Sequence, residues 1–229
     1  MTTSCLYSHK EFNIYKNEKI ENVYKIQIKH HVPNTNTNTP LITSLIKSKL
    51  LPGVTINSLM NEISFQATSI IPLKEYIKTT NITYEKTQEF ILSITIQLNH
   101  LHNQGYSFYG LDLESIIVIN NSIFLQISLE YLVSLNQSIN QIAIYQPFSK
   151  KKNFFISPEL HIQTTLPIFI SYKCIYHSLA QVCIFLLFKK KIQIGNQNME
   201  YQTLLEPIEG TKLYWFILRA LENQIILYI

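Results

Sequence analysis

At 229 residues, with 46% apolar and 15% charged side chains, the chain can bury a substantial core, which excludes a disordered or polyionic tail. Its net charge of +4 comes almost wholly from scattered lysines, because Arg219 is the only arginine. Nucleic-acid binding draws on guanidinium forks and a basic patch. The one basic run here, Lys189-Lys190-Lys191, reads as a solvated turn after an apolar helix, so no nucleic-acid partner is expected.

In chain order, residues 11–15 and 22–29 alternate in polarity and predict two strands, the second reading VYKIQIK. Residues 33–40, PNTNTNTP, form a polar low-complexity loop. Residues 41–51 suit a short helix stopped by Pro52-Gly53, residues 56–62 a further helical turn, and residues 63–69 a strand. PLKEYI, from Pro72, is a short helix with proline in its first turn. Thr83 can cap a long helix to about His102, with Phe90, Ile91, Ile94, Leu98 and Leu101 on one face and Gly105 ending it. Residues 116–119 and 123–127 are apolar strands joined by Asn120-Asn121-Ser122, a tight hairpin. After a long loop come helices over about 172–188 and 212–222. The fold class is therefore α+β, in two parts: a β-rich 1–70 with its polar loop at 33–40, and a helical 71–229.

The most apolar window, 168–188, carries Lys173, His177 and Gln181 four apart, a polar stripe on one helical face. That favours a buried helix over a spanning one, and no transmembrane segment is expected. Cys174 and Cys183 lie on that helix roughly 13 Å apart along its axis, too far to bridge. Residues 1–10 hold no apolar run of the signal-peptide kind. The expected location is thus a reduced, intracellular one, the cytoplasm of the source or host cell. Heavy use of Ile, Asn, Lys, Tyr and Phe fits an AT-rich genome, such as that of a large DNA virus or a protist. His30-His31 beside the polar loop, and His100 and His102 on different helical faces, read as surface or cap residues and not as metal ligands.

From Pro72 onward, about two thirds of the chain resembles the larger lobe of the eukaryotic protein kinases. PLKEYI is similar to the short helix after the hinge, and the helix ending LNHLHNQGY to the one leading to the catalytic loop. FYGLDLESIIVINNSIFLQISLE occupies the place of the catalytic loop, a hairpin and the magnesium-binding motif. FFISPEL resembles the stretch that closes the activation segment, IYHSLAQVCIFLL the buried central helix, and KLYWFILRALE a later helix. The resemblance implies a bilobal kinase-like fold with a reduced β-rich N-lobe and a mainly helical C-lobe.

Phosphoryl transfer needs a glycine-rich loop, a lysine on the phosphates with its glutamate, a catalytic aspartate and two metal ligands. No glycine precedes Gly53, beyond both early strands. Lys29, at the end of VYKIQIK, is the candidate nucleotide-binding lysine. Residues 41–51 hold no acid to pair with it, which leaves Glu62 in reserve. Tyr109-Gly110-Leu111 stands where kinases have His-Arg-Asp. Asp112, one residue late, is the candidate catalytic base, and Glu114 is displaced in the same way. An apolar residue, Ile116 or Ile117, replaces the metal-binding asparagine. Ser128-Leu129-Glu130 replaces Asp-Phe-Gly, with Glu130 the candidate metal ligand. Pro158 and Glu159 are structural, and Arg219 is expected to answer Glu159 in a buried pair. Ile175 replaces the aspartate that begins the central helix in kinases.

The expectation that follows is a catalytically inactive pseudokinase acting through a protein partner, a kinase or a kinase substrate, with no cofactor. One alternative is a divergent active kinase using ATP and magnesium through Lys29, Asp112 and Glu130. Another is a membrane-peripheral protein anchored by residues 168–191.

Overall fold

Alternating side chains build the first sheet. The computed structural model describes residues 3–29, 38–57, 61–147, 153–190 and 197–222. In it the strands β1 (Thr3–Ser8), β2 (Phe12–Asn17), β3 (Val23–Ile28), β4 (Thr55–Asn57) and β5 (Glu62–Gln66) form an antiparallel sheet in the order β1-β2-β3-β5-β4. Phe12, Ile14, Tyr24, Ile26, Ile28, Ile63 and Phe65 point to its buried face. That face joins one core with the helix α1 (Asn38–Lys47), which contributes Leu41 and Leu45. Two expectations change here. β1 was not foreseen, and Thr55–Asn57 is an edge strand beside β5 where a helical turn was expected. The helix α1 also begins inside the expected polar loop, whose residues 33–37, like His30 and His31, lie outside the described residues.

The chain passes to a second sheet between Gln66 and Ile70. Asn120 Oδ1 pins this passage by accepting from Thr68 N at 2.7 Å and Thr68 Oγ1 at 2.9 Å. The strands β6 (Ile70–Pro72), β9 (Ile116–Ile119) and β10 (Ile123–Gln126) pair in the order β10-β9-β6. The β9–β10 turn has Asn120 and Asn121 at φ 52° and 59°, the left-handed pair a tight hairpin requires. Between β6 and β9 run α2 (Leu73–Thr79) and α3 (Tyr84–Asn103). The Thr83 side chain accepts from Lys86 N at α3's start, and Gly105 at φ 77° follows its end, as expected. Phe90, Ile94, Leu98 and Leu101 form its buried stripe.

The remainder is less helical than expected. Of the helices, α4 (Pro158–Ile162), α5 (Cys174–Phe188), α6 (Gln197–Leu205) and α7 (Lys212–Leu221), α4 and α6 were not foreseen. The strands β7 (Tyr106–Phe108), β8 (Gly110–Asp112), β11 (Leu132–Asn136), β12 (Gln141–Ile144), β13 (Phe154–Ile156) and β14 (Ile168–Ser171) interleave with them. They form a β14-β12-β11-β7 sheet and a β13-β8 pair. The expected long loop after the hairpin therefore holds β11 and β12, and the apolar run from Ile168 starts as a strand. The helix α5 is buried almost all round, from Cys174 to Ile184 and at Leu186. Its apolar side chains are thus spent in the core and leave no broad apolar face on α5; Lys191 lies outside the described residues. Among the described residues no helix is long and apolar enough to cross a membrane. The chain is thus a mixed α+β protein with antiparallel sheets.

Candidate functional site

The period of two along β3 decides where Lys29 goes. Tyr24, Ile26 and Ile28 face the core, so Val23, Lys25, Gln27 and Lys29 fall on the opposite face. There Lys29 Nζ donates to His9 O at 2.5 Å and to Ser8 Oγ at 3.3 Å. A polar chain continues along that face. Ser8 Oγ donates to Asn13 Oδ1 (2.8 Å), Asn13 Nδ2 to Tyr15 Oη (3.0 Å) and Tyr15 Oη to Gln27 Oε1 (3.1 Å). Glu62, the reserve partner for Lys29, instead pairs with Lys25 Nζ at 2.9 Å and accepts from Gln27 Nε2 at 3.3 Å. The inward position nearest the strand end belongs to Ile28. Lys29 is therefore no ligand for anything bound on the inner face of this sheet.

Asp112 ends β8, whose antiparallel partner β13 brings Phe154 alongside it. The carboxylate is 1% exposed and both oxygens are engaged: Oδ2 accepts from the Tyr131 hydroxyl at 2.9 Å and Oδ1 from Glu114 N at 3.0 Å. Burial, then the Asp112 charge and hydrogen bond, push the Tyr131 hydroxyl far above its ordinary range. The ring of Tyr131 stacks on Phe154 at 4.4 Å, and Tyr109 meets both edge-on at 5.7 and 5.9 Å. Gly110 lies against Phe154 and Ile156: a Cβ there would come within 2.6 Å of the Phe154 ring. Tyr109 fills a core position, and Asp112 is an anchor for that aromatic cluster.

Glu114 faces outward to Lys74 Nζ at 2.7 Å and Asn153 Nδ2 at 3.2 Å. The hydrogen bond from Lys74 holds its carboxyl below the usual range. Ile116 and Ile117 are fully buried in β9 and Ile175 in α5, the apolar replacements expected.

Glu130 forms an ion pair with Lys10, so its carboxylate is already matched to a cation. The neighbouring feature escaped the sequence reading. Glu11, at the tip of the β1–β2 hairpin, is 2% exposed, and its Oε1 accepts from Glu130 N at 2.7 Å. Its Oε2 accepts from the Ser128 hydroxyl. Burial pushes the Glu11 carboxyl up, and these two hydrogen bonds oppose the shift. Glu11 and Ser128 lie 117 residues apart, so no local spacing could have marked them as partners. The three candidate residues thus occupy three settings: Lys29 outside the sheet, Asp112 under Tyr131, and Glu130 against Lys10. Among the described residues no group of three His, Cys, Asp or Glu is arranged to hold a metal ion.

Pro158 starts α4, and Glu159 stands half-buried in its first turn, near enough to Cys174 to add to the effect of burial on that thiol. Arg219 is exposed on α7, whose buried stripe is Leu213, Ile217 and Ala220. The buried Glu159–Arg219 pair is therefore not formed. Position 219 lies about 200° around the helix from Ile217, away from the core. No protein-family model matches this chain, and no curated protein is significantly similar to it.

Proposed function

We propose that this chain is a protein-kinase-like domain without phosphotransfer activity that acts by binding another protein, a kinase or a kinase substrate. The order of its elements supports the lineage. A five-stranded sheet ordered β1-β2-β3-β5-β4, with α1 between β3 and β4, is followed by α2, the long α3, the β9–β10 hairpin, α4 at Ser157-Pro158-Glu159 and the buried α5. The reading of inactivity is carried by Asp112. A general base must reach a substrate proton, and this carboxylate is buried with both oxygens held by Tyr131 and Glu114. The outward course of Lys29 agrees with it.

The test is thermal unfolding with ATP and magnesium, alongside radiolabel transfer to a generic protein substrate. A live site saturated about a hundredfold over its Kd would add about 2.7 kcal/mol of stability. No shift and no transfer are expected. A shift abolished by Lys29→Met, or transfer abolished by Asp112→Asn, would overturn the proposal and favour an active, divergent kinase.

A further inference from the structure

The Ser128–Glu130 segment makes a site whose ligand comes from the chain itself. Two donors converge there from positions two apart in one segment, the Ser128 hydroxyl and the Glu130 backbone N–H. The N–H lies 2.7 Å from Glu11 Oε1, while the hydroxyl meets Oε2, so the two oxygens of one carboxylate are matched by two separate donors. The Ser128 oxygen also accepts from Glu130 N at 3.2 Å, which orients the hydroxyl proton away from its own turn and toward Glu11. Ser128 is fully buried and Glu11 nearly so, which shields these bonds from competing water. A second tie flanks the first, the Lys10–Glu130 ion pair. Tyr109 closes the other side, its hydroxyl 3.5 Å from Glu130 O.

From this geometry we infer that residues 128–130 form a carboxylate-binding site, and that Glu11 fills it as an intramolecular ligand, latching the β1–β2 hairpin over the turn. Its two donors match a ligand with two acceptor oxygens, as the Glu11 carboxyl presents. While Glu11 is seated, an external carboxylate finds the donors taken. The latch follows from these contacts alone and would hold in a chain of any lineage.

Native-state hydrogen exchange at the Glu130 amide, read with the full chain, tests this. In the wild type that amide lies outside the strands, yet it should be protected to within about tenfold of the Leu125 amide, which faces β9 from β10. In Glu11→Ala its exchange should accelerate by about tenfold or more, while amides of α3 hold their relative protection. Sodium formate at ~100 mM should slow it again by re-supplying a carboxylate, and equal sodium chloride should not. An unprotected Glu130 amide in the wild type overturns the inference, and that measurement stands even if the variant fails to fold. So does wild-type exchange in Glu11→Ala, or a formate effect no larger than that of chloride.

Discussion

The Tyr131 hydroxyl donates to Asp112 Oδ2 at 2.9 Å where each residue is only 1% exposed. A buried carboxyl group needs hydrogen-bond donors in place of the water it has lost, and here a phenol supplies one of them. Tyr131→Phe keeps the ring stack on Phe154 and removes that donor alone. It should lower unfolding stability by about 1–3 kcal/mol. Tyr109→Phe is the control: its hydroxyl reaches Glu130 O only at 3.5 Å, so the loss should stay under about 1 kcal/mol. Urea unfolding of both variants decides it, and equal losses would mean the Asp112 bond contributes little.

Gln97 does for a strand edge what a neighbouring strand would otherwise do. The strand β10 is the edge of its sheet and packs on α3. At Gln126 the exposed side of the ladder is closed by one amide: Gln97 Nε2 donates to Gln126 O at 2.7 Å, and Gln97 Oε1 accepts from Gln126 N at 3.0 Å. Gln97→Met fits a similar volume but leaves two buried backbone groups without water or partner, which should cost about 2–5 kcal/mol. Gln88→Met, exposed on the same helix, should change stability by less than about 0.5 kcal/mol. A mild Gln97→Met in chemical denaturation would show that β10 can shift to satisfy itself.

Such elements divide by the range of the signals that specify them. Thr83 as a cap, the Asn120-Asn121 turn and the apolar stripe of α3 were legible because each depends on residues within a few positions. The inward face of β3 was legible too: VYKIQIK alternates, and its phase sends Lys29 out with Lys25. Arg219 was matched to Glu159 because it is the only arginine, although the stripe Leu213, Ile217, Ala220 already turns it to solvent. Glu11 is different in kind. Its burial depends on Ser128 and Glu130, more than a hundred residues away, and a turn reading His9-Lys10-Glu11 looks solvated from sequence alone.

Gly110 is required by packing, not by backbone conformation. A Cβ there would lie 2.6 Å from two Phe154 ring carbons and 2.7 Å from Ile156 Cγ2. The Phe154 ring is itself stacked on Tyr131, so Gly110→Ala should cost about 1–3 kcal/mol. Gly210, at φ 75° with nothing within 4 Å of a Cβ, separates the two effects. Gly210→Ala meets only backbone strain, about 1 kcal/mol. Thermal melts in which Gly210→Ala proves the more damaging variant would show that the aromatic cluster yields.

Acid should destabilise the fold through two histidines. Burial holds His102 and His177 down to about 4, against an ordinary value of 6.5. His102 Nε2 lies 3.1 Å from Ser107 Oγ and His177 Nε2 lies 3.0 Å from Gln181 Nε2; at His177 the charge of His161 adds to the effect of burial, and backbone hydrogen bonds at Leu221 and Ala220 oppose it. A folded-state value below the unfolded one means the unfolded chain binds more protons between pH 6.5 and 4, so stability falls as pH drops through that window. Each histidine contributes at most about 3 kcal/mol to the loss. Glu11 acts with the opposite sign. Its carboxyl is raised, so the folded state prefers it protonated, and stability declines as pH rises through its folded value. The sum is a profile that the histidines dominate on the acid side and Glu11 softens. In urea titrations from pH 7 to 4, His102→Gln with His177→Gln should flatten the acid loss, and Glu11→Gln should steepen it. A double histidine variant that keeps the wild-type slope would place the acid-sensitive groups elsewhere in the fold.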